Sequence, residues 1–316
     1  MTAGTGSRSV AVGLSLLAAF GWATYYIFVL AITPGTRPSA VLAYPFLIGG
    51  AAYAVWATAA GEGRAFVAMW KQPAAYLRTA LLTGMQLSVL AATYLTGPVD
   101  ASLLSLIGDV VATPVIVAFA LGAYRAQVRS GWFAVGLVLS LTGGTMTIAG
   151  GQSLAAIPPV GWVVVPAVPL TVAVYFLLAA RENERSPPSA VVGQSMLASG
   201  LLTILLAPTV PGGWGGLASA DPGAWAVLLV LGLSSFFAAP VLYFAAIRHA
   251  GFVLPPMLMT GIPVFTLLLS ALVLRLALPL VAVLGIPVAV VGALLTLRGE
   301  TDGGPPEPTR RPDPVR

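Results

Sequence analysis

The chain has 316 residues, of which 58% are hydrophobic and only 8% are charged, and its mean hydropathy is +0.94. So few charges cannot cover the surface of a soluble domain of this length, so the composition predicts an all-α polytopic membrane protein. The absence of cysteine excludes disulfides, thiolate metal sites and cysteine nucleophiles. Because basic residues of membrane proteins mark the cytoplasmic side, the net charge of +5 is interpreted loop by loop and not as a sign of nucleic-acid binding.

The first apolar run, residues 10–31, follows a short polar N-terminus, residues 1–9. It is longer than a signal-peptide core and lacks a small-residue cleavage pattern, so it predicts a retained helix. About 20 apolar residues span a bilayer core, so each further run of that length predicts another transmembrane helix. The nine further runs are residues 39–60, 77–96, 101–121, 131–150, 160–180, 189–209, 224–246, 252–274 and 279–297. The sequence thus predicts ten spans, followed by a polar, Pro-rich and disordered cytoplasmic tail at residues 298–316.

The basic residues alternate between the predicted loops. If the N-terminus is cytoplasmic, thirteen of the fifteen Lys and Arg residues fall on the inner side, and only Arg37 and Arg275 fall outside. The positive-inside rule then predicts that both termini are cytoplasmic. The abundance of Ala, Gly, Pro and Arg favours a GC-rich bacterial genome, and so a multi-pass protein of the bacterial inner membrane.

The two halves of the chain repeat each other. A shift of 149 residues places Pro114 on Pro263 and Tyr94 on Tyr243, and a shift of 150 places residues 39–50 over residues 189–200. A five-helix unit crosses the membrane an odd number of times, so its copy must be inverted. The sequence therefore predicts two inverted repeats, residues 10–150 and 160–297, joined by an external linker at residues 151–159, with a substrate site near the midplane between them.

Several apolar stretches resemble the drug/metabolite transporter superfamily, in its ten-helix EamA-type branch. They are LGLSSFFAAPVLYFAAIRHAG at 231–251, MLMTGIPVFTLLLSALVL at 257–274 and LGIPVAVVGALL at 284–295, with weaker copies at 109–121 and 131–150. The Gly-Glu pair that is frequent in this family after the fourth and ninth helices is replaced here by residues 122–124 and by Leu274-Arg275. The resemblance implies secondary transport, often export of amino acids, other metabolites or toxic small molecules, without ATP hydrolysis.

Asp109 is the one acidic residue that falls inside a predicted span. A carboxylate at that depth costs on the order of 2.5 kcal/mol or more, so a partner or a function must compensate it. Three interpretations remain open from the sequence. Asp109 is a structural hydrogen-bond acceptor, a group that couples transport to protons, or the counter-ion of a cationic substrate.

Aromatic and polar residues lie at similar predicted depths to Asp109. Trp22 and Tyr26 share one face of the first helix, Tyr44 lies at the height of Tyr26 on the second, and Gln86 lies near the centre of the third. They predict an outward-facing vestibule suited to an amine or a quaternary ammonium. The alternatives are an interfacial aromatic belt for the tyrosines, and packing against a neighbouring helix for Trp22.

Prolines and small residues mark the predicted moving and packing surfaces. Pro114, Pro166, Pro240 and Pro263 interrupt four spans and are predicted hinges, although proline is also common in transmembrane helices that do not bend functionally. Small residues recur at four-residue intervals in the fifth and tenth spans, where they allow close packing within the bundle or, alternatively, homodimerisation. These stripes are Gly136, Ser140 and Gly144, and Gly285, Ala289 and Ala293.

No catalytic motif accompanies these features: the sequence has no Walker loop, no HExxH and only one histidine. We therefore expect no enzyme, no cofactor, no metal and no nucleic-acid partner. The leading hypothesis is a secondary transporter, expected to be an exporter, with a small-molecule substrate, the bilayer as its medium and possible proton coupling. The alternatives are uptake of a cation or choline-like solute, and a membrane protein that keeps the fold without transporting.

Overall fold

A computed structural model describes residues 5–32, 36–96, 101–102, 105, 129–149, 161–183, 185–209, 213–218, 222–250, 254–275, 277 and 279–302. Within these ranges the regular structure is entirely helical. The helices are α1 (Thr5–Ile32), α2 (Pro38–Ala59), the short α3 (Gly63–Met69), α4 (Pro73–Thr96), α5 (Gly131–Ala149), α6 (Gly161–Asn183), α7 (Pro188–Leu206), α8 (Pro222–Ala250), α9 (Leu254–Val273) and α10 (Leu280–Asp302). Short 3₁₀ turns at Ala207–Thr209 and Trp214–Ala218 join α7 to α8.

Nine of the ten predicted spans coincide with a helix in the described part of the chain, and five of these helices are long and apolar enough to cross a membrane. The span predicted at residues 101–121 lies outside the described residues, apart from 101, 102 and 105. Several boundaries differ from the prediction by a few residues, and the largest differences are those of α1 and α10, whose helices continue past their apolar runs. Thus α1 begins at Thr5 and not at residue 10, and α10 continues to Asp302, into the predicted tail.

Helix α3 was not predicted, because its seven residues are too few to give an apolar run. The turn that separates it from α2 contains Gly61 at φ +74°, a conformation that other residues rarely adopt. Pro38 stands at the start of α2, at the opposite end of the bundle from α3, and Pro188 stands at the start of α7, at the same end as α3. At both positions a missing N–H breaks no helical hydrogen bond. Gly61, Pro38 and Pro188 thus mark where α2, α3 and α7 begin or end.

Four helix pairs hold the bundle together: α2 with α7, α5 with α10, α1 with α8, and α4 with α6. In each pair, residues nearer the start of one helix contact residues nearer the end of the other, so the two helices are antiparallel. Gly50 lies against Leu197 while Tyr53 lies against Gly193, so α2 and α7 are antiparallel. The main buried cluster extends over α1, α2, α4, α6, α7, α8 and α9, whereas α5 and α10 pack chiefly against each other.

The small-residue stripes of α5 and α10 face each other in this structure. Gly143 lies against the backbone of Gly285 and Ala289, Gly292 lies against Ser140, and the hydroxyl of Ser140 donates to the carbonyl of Ala289 at 3.4 Å. The stripes therefore serve packing within the chain, and a homodimer would need a different surface.

We predict that Gly143→Ala destabilises the protein, because the added methyl group would overlap the backbone nitrogen of Ala289, which cannot move aside. Overpacking of this kind costs about 1–3 kcal/mol. Thermal unfolding of the purified protein in detergent measures the effect. Gly84→Ala is the matched control, because nothing lies within 4 Å of the position where its methyl group would stand. Equal melting temperatures for the two variants would contradict the packing described.

Two of the predicted hinge prolines coincide with a change of helical form. Pro240 follows a π-helical segment, Gly232–Ala238, and Pro263 follows the turn at residues 259–260 that divides α9 into Leu254–Leu258 and Gly261–Val273. In both, the ring would clash with the carbonyl four residues earlier in a regular α-helix. Pro166 differs, because α6 runs through it without a break, as a helix that loses one hydrogen bond can do. Pro114 lies outside the described residues.

Candidate functional site

A cavity of about 60 Å³ lies at the centre of the bundle, between α1, α4, α6, α8 and α9. Its volume is several times the space that one ordered water requires. The lining residues are mostly aromatic or aliphatic, with hydroxyl and amide groups among them, and none of them is charged. They are Trp22, Tyr25, Tyr26, Met85, Gln86, Val89, Ser105, Val172, Phe176, Ser235 and Ile262.

Trp22 lies in an aromatic cluster at one wall of this cavity. Its ring is 5.8 Å from that of Phe176 and 5.3 Å from that of Tyr243, and these two rings are 5.1 Å apart. All three contacts are edge-to-face, the arrangement that aromatic quadrupoles favour. Trp22 was predicted at the site or in packing, and the structure combines the two, because the same ring lines the cavity and packs against α6 and α8.

Tyr26 lies one turn beyond Trp22 on the same face of α1, as their spacing predicts. Its side chain is 5% exposed, and its hydroxyl donates to Ser105 Oγ at 2.6 Å. Ser105 in turn donates to the carbonyl of Ala101 at 3.3 Å. A tyrosine of an interfacial belt would reach the membrane surface, whereas this one is directed into the bundle.

Gln86 lies on a continuous stripe of α4 that faces the centre. Leu82, Met85, Gln86 and Val89 occupy the positions i, i+3, i+4 and i+7 of that stripe, and each of them lines a cavity. A second, smaller cavity of about 20 Å³ shares Gln86 with the first. It extends past Leu82 towards the end of the bundle where α3 lies, which we call the α3 end.

Tyr44 lies elsewhere, contrary to the expectation that it lines the vestibule with Tyr26. Its hydroxyl donates to the carbonyl of Leu217 at 2.7 Å, and its ring lies 4.4 Å from that of Trp225. The helical rise predicts only the height of a residue, and height does not fix the direction in which a side chain points around the helix. Because α2 pairs with α7, this face of α2 is directed at the connection before α8 and at α8 itself.

A group of hydroxyls at the π-helical segment was not predicted as part of the site. Thr24 Oγ1 lies 3.2 Å from Ser234 Oγ and 3.1 Å from Ser235 Oγ, and both Thr24 and Ser235 donate to the carbonyl of Gly21 at 2.7 Å. Ser235 also lines the cavity. Serines within an apolar run give no sequence signal of their own, so only the three-dimensional arrangement reveals this polar wall.

Asp109, the predicted acid of the site, lies outside the described residues. In the sequence it follows Ser105 by four residues, the spacing at which two residues of a helix share a face. Among the described residues no group of three or more His, Cys, Asp or Glu is placed to hold a metal ion. The described part of the site is thus an uncharged aromatic cavity with four polar side-chain types, from Tyr, Ser, Gln and Trp.

Residues 158–298 match the model of the EamA-like transporter family. The second half of the chain is EamA-like. The match covers less than half of the chain, and together with the long apolar helices of both halves it supports a multi-pass membrane protein that is similar to transporters of the drug/metabolite type. The family match is confined to the second half.

Twenty-three chains of solved structures also match. One of them, a crystal structure of a protein, superposes with a TM-score of 0.73 at 21% sequence identity, over 93% of this chain and 99% of that chain. At this identity the similarity concerns the fold alone, and it extends over both halves of the chain. No curated protein matches the chain.

Proposed function

We propose that the protein is a secondary-active transporter that exports small amphipathic metabolites, such as amino acids, amines or drug-like compounds, across the bacterial inner membrane. The observation that carries the proposal is the central cavity, in which Trp22, Tyr26 and Gln86 meet residues of α6, α8 and α9. Aromatic walls with a few polar groups suit a partly apolar solute, because the rings bind its apolar part and the hydroxyls fix its orientation.

The pairing of the helices supports two inverted halves. In such a pair of halves, α1 corresponds to α6, α2 to α7, α4 to α8, and α5 to α10. A two-fold axis in the membrane plane then requires α2 to pair with α7 and α5 with α10, and it exchanges the pair α1–α8 with the pair α6–α4. These four pairs are among the main contacts of the bundle. Alternating access by rocking of one half against the other follows naturally from this arrangement.

Two serines at corresponding positions support the same symmetry. Ser39 and Ser189 each begin the sequence Ser-Ala-Val at the start of α2 and of α7. Ser39 donates to the carbonyl of Gly213, just before α8, at 3.3 Å, and Ser189 donates to the carboxylate of Glu62, just before α3. Each contact thus joins the start of one helix to the corresponding connection of the other half.

The competing hypothesis was a membrane protein that keeps the fold without transporting, for which we expected a fully packed centre. The observed cavity favours transport over that hypothesis. Uptake of a choline-like cation would rest on Asp109, since none of the described lining residues carries a charge. We propose that Asp109 couples export to protons, with Pro240 and Pro263 as the hinges of the motion.

Solute flux into proteoliposomes, with and without a pH gradient, tests this function. We predict that Asp109→Asn abolishes gradient-driven flux, because the amide cannot take up and release a proton, while the protein stays folded. Asp100→Asn is the matched control, since the sequence puts that acid at the predicted end of the fourth span. Gradient-driven flux that is unchanged in Asp109→Asn would remove the residue from the mechanism.

A further inference from the structure

An ion pair between a buried arginine and a partly exposed glutamate lies beyond the smaller cavity, at the α3 end. The guanidinium of Arg78 is 3.7 Å from a carboxylate oxygen of Glu182, and the Arg78 side chain is 1% exposed. From the sequence, Arg78 was counted among the basic residues on the inner side; in the structure it lies within α4 and is among the most buried large side chains of the protein. A charge so far from water is costly unless it is well paired or has a function.

The ion pair continues the two helix faces that line the cavities. On α4, Arg78 precedes Leu82 by four residues and Gln86 by eight, so the three lie on one stripe. On α6, Glu182 follows Tyr175 by seven residues, again on one face. Leu82 and Tyr175 line the smaller cavity. A solute that leaves this cavity towards the α3 end would therefore meet Arg78 next.

Arg78 has unused hydrogen-bonding capacity. Its contact with Glu182 uses one terminal nitrogen, its other terminal nitrogen contacts Met69 Sδ at 3.8 Å, and its buried Nε has no partner. On α6, the hydroxyl of Tyr175, which interacts with Arg78, and the side-chain amide of Asn183, next to Glu182 in the chain, are also buried without partners. Buried polar groups without partners are costly, so several of them beside one cation indicate a place that a polar ligand can complete.

The opposite end of the bundle has no corresponding ion pair. The shift of 149 residues that places Tyr94 on Tyr243 puts Val227 at the position that corresponds to Arg78, and a shift of 150 puts Leu228 there. Both residues are apolar, and they belong to or pack against the main buried cluster. The charge pair is therefore not part of what the two proposed halves share, and, among the residues that the structure describes, it is present at one end of the transport path only.

We propose that Arg78 is the anion-binding residue of the transport path, and that the substrates carry a carboxylate together with an apolar, preferably aromatic, group. The proposal rests on the transport function proposed above. Glu182 occupies Arg78 while the α3 end is closed, and the substrate carboxylate replaces Glu182 when this end opens. An arginine suits this exchange, because its planar fork binds a carboxylate through two parallel N–H···O bonds, which the single long contact with Glu182 does not use.

Equilibrium binding to the protein in nanodiscs tests the proposal with two probes that share a phenyl ring, 3-phenylpropionate and phenethylamine. We expect the wild type to bind the carboxylate probe more tightly than the amine. Arg78→Gln should weaken binding of 3-phenylpropionate about tenfold or more, the loss expected for a charge-assisted pair, and leave phenethylamine binding unchanged. Glu182→Gln should tighten binding of 3-phenylpropionate, because it removes the competing carboxylate.

The opposite signs of these effects distinguish a binding residue from a structural ion pair, whose loss would weaken binding of both probes in both variants. Arg185→Gln, at an exposed arginine near the same end, is the matched control and should change neither affinity. If the single variant Arg78→Gln does not fold, the double variant Arg78→Gln and Glu182→Gln replaces it, because it leaves neither charge of the pair without its partner. The double variant should also lose the preference for the carboxylate probe.

A wild type that does not prefer 3-phenylpropionate, or single variants that change affinity in the same direction, would overturn the assignment of Arg78. Binding with the predicted preferences but without flux of any probe in proteoliposomes would count against the transport function and leave the anion site standing.

Discussion

Cross-linking the α3 end should stop transport. In the double variant Glu62→Cys and Ser189→Cys, a short bis-methanethiosulfonate reagent should join the connection before α3 to the start of α7, since these side chains are in contact. Export requires the α3 end to open, so the cross-linked protein should lose at least about nine-tenths of its flux, as alternating access demands. Flux into proteoliposomes, before and after the reagent, measures the effect.

The chain suits this experiment because it contains no cysteine, so each cross-link joins the two introduced thiols. The single variants Glu62→Cys and Ser189→Cys, treated with the same reagent, control for modification without cross-linking. Reduction should restore flux in the double variant. Full flux through protein that is cross-linked to completion would show that this end does not need to open.

Replacing Trp22 by alanine should have the second large effect, on the binding of aromatic solutes. The indole lines both cavities and makes edge-to-face contacts with Phe176 and Tyr243. A contact between the indole and an aromatic solute is worth about 0.5–1.5 kcal/mol beyond the apolar area that it buries, so its loss should weaken binding about tenfold or more. Binding of 3-phenylpropionate in nanodiscs measures the change.

Trp225→Ala is the matched control, because Trp225 is 42% exposed and packs on Tyr44, away from the cavities. We expect it to bind the probe as the wild type does. Trp22→Phe should retain part of the affinity, since it keeps an aromatic face at the same place. If Trp22→Ala and Trp225→Ala bind the probe equally well, Trp22 has no part in the site.

The helices could be predicted from the sequence because long apolar runs are a strong and local signal. The cavity could be predicted only in part. Trp22 and Tyr26 were found together because their spacing on one helix fixes their common face, whereas Tyr44 was misplaced because hydropathy gives depth and not direction. Phe176 and Ser235 stand among many similar residues, and nothing local sets them apart.

The ion pair of Arg78 shows a further limit of the sequence. Positive charge near a helix end predicts the inner side of the membrane, and that rule gives no reason to expect burial. The partner, Glu182, is more than a hundred residues away in the chain, and only the packing of α4 on α6 brings the two together. Pairs of this kind require the tertiary structure.

In the pairs α2–α7 and α5–α10, each helix contacts its own counterpart in the other half, and this bears on how such a chain can arise. In the two inverted halves proposed above, each half displays surfaces that complement an inverted copy of itself. A gene that encodes one half, inserted in both orientations, would therefore already specify an antiparallel dimer, as an isologous interface requires. Fusion of two such genes needs no new interface, and afterwards each half is free to acquire features that its mate lacks, as Arg78 and Leu228 illustrate.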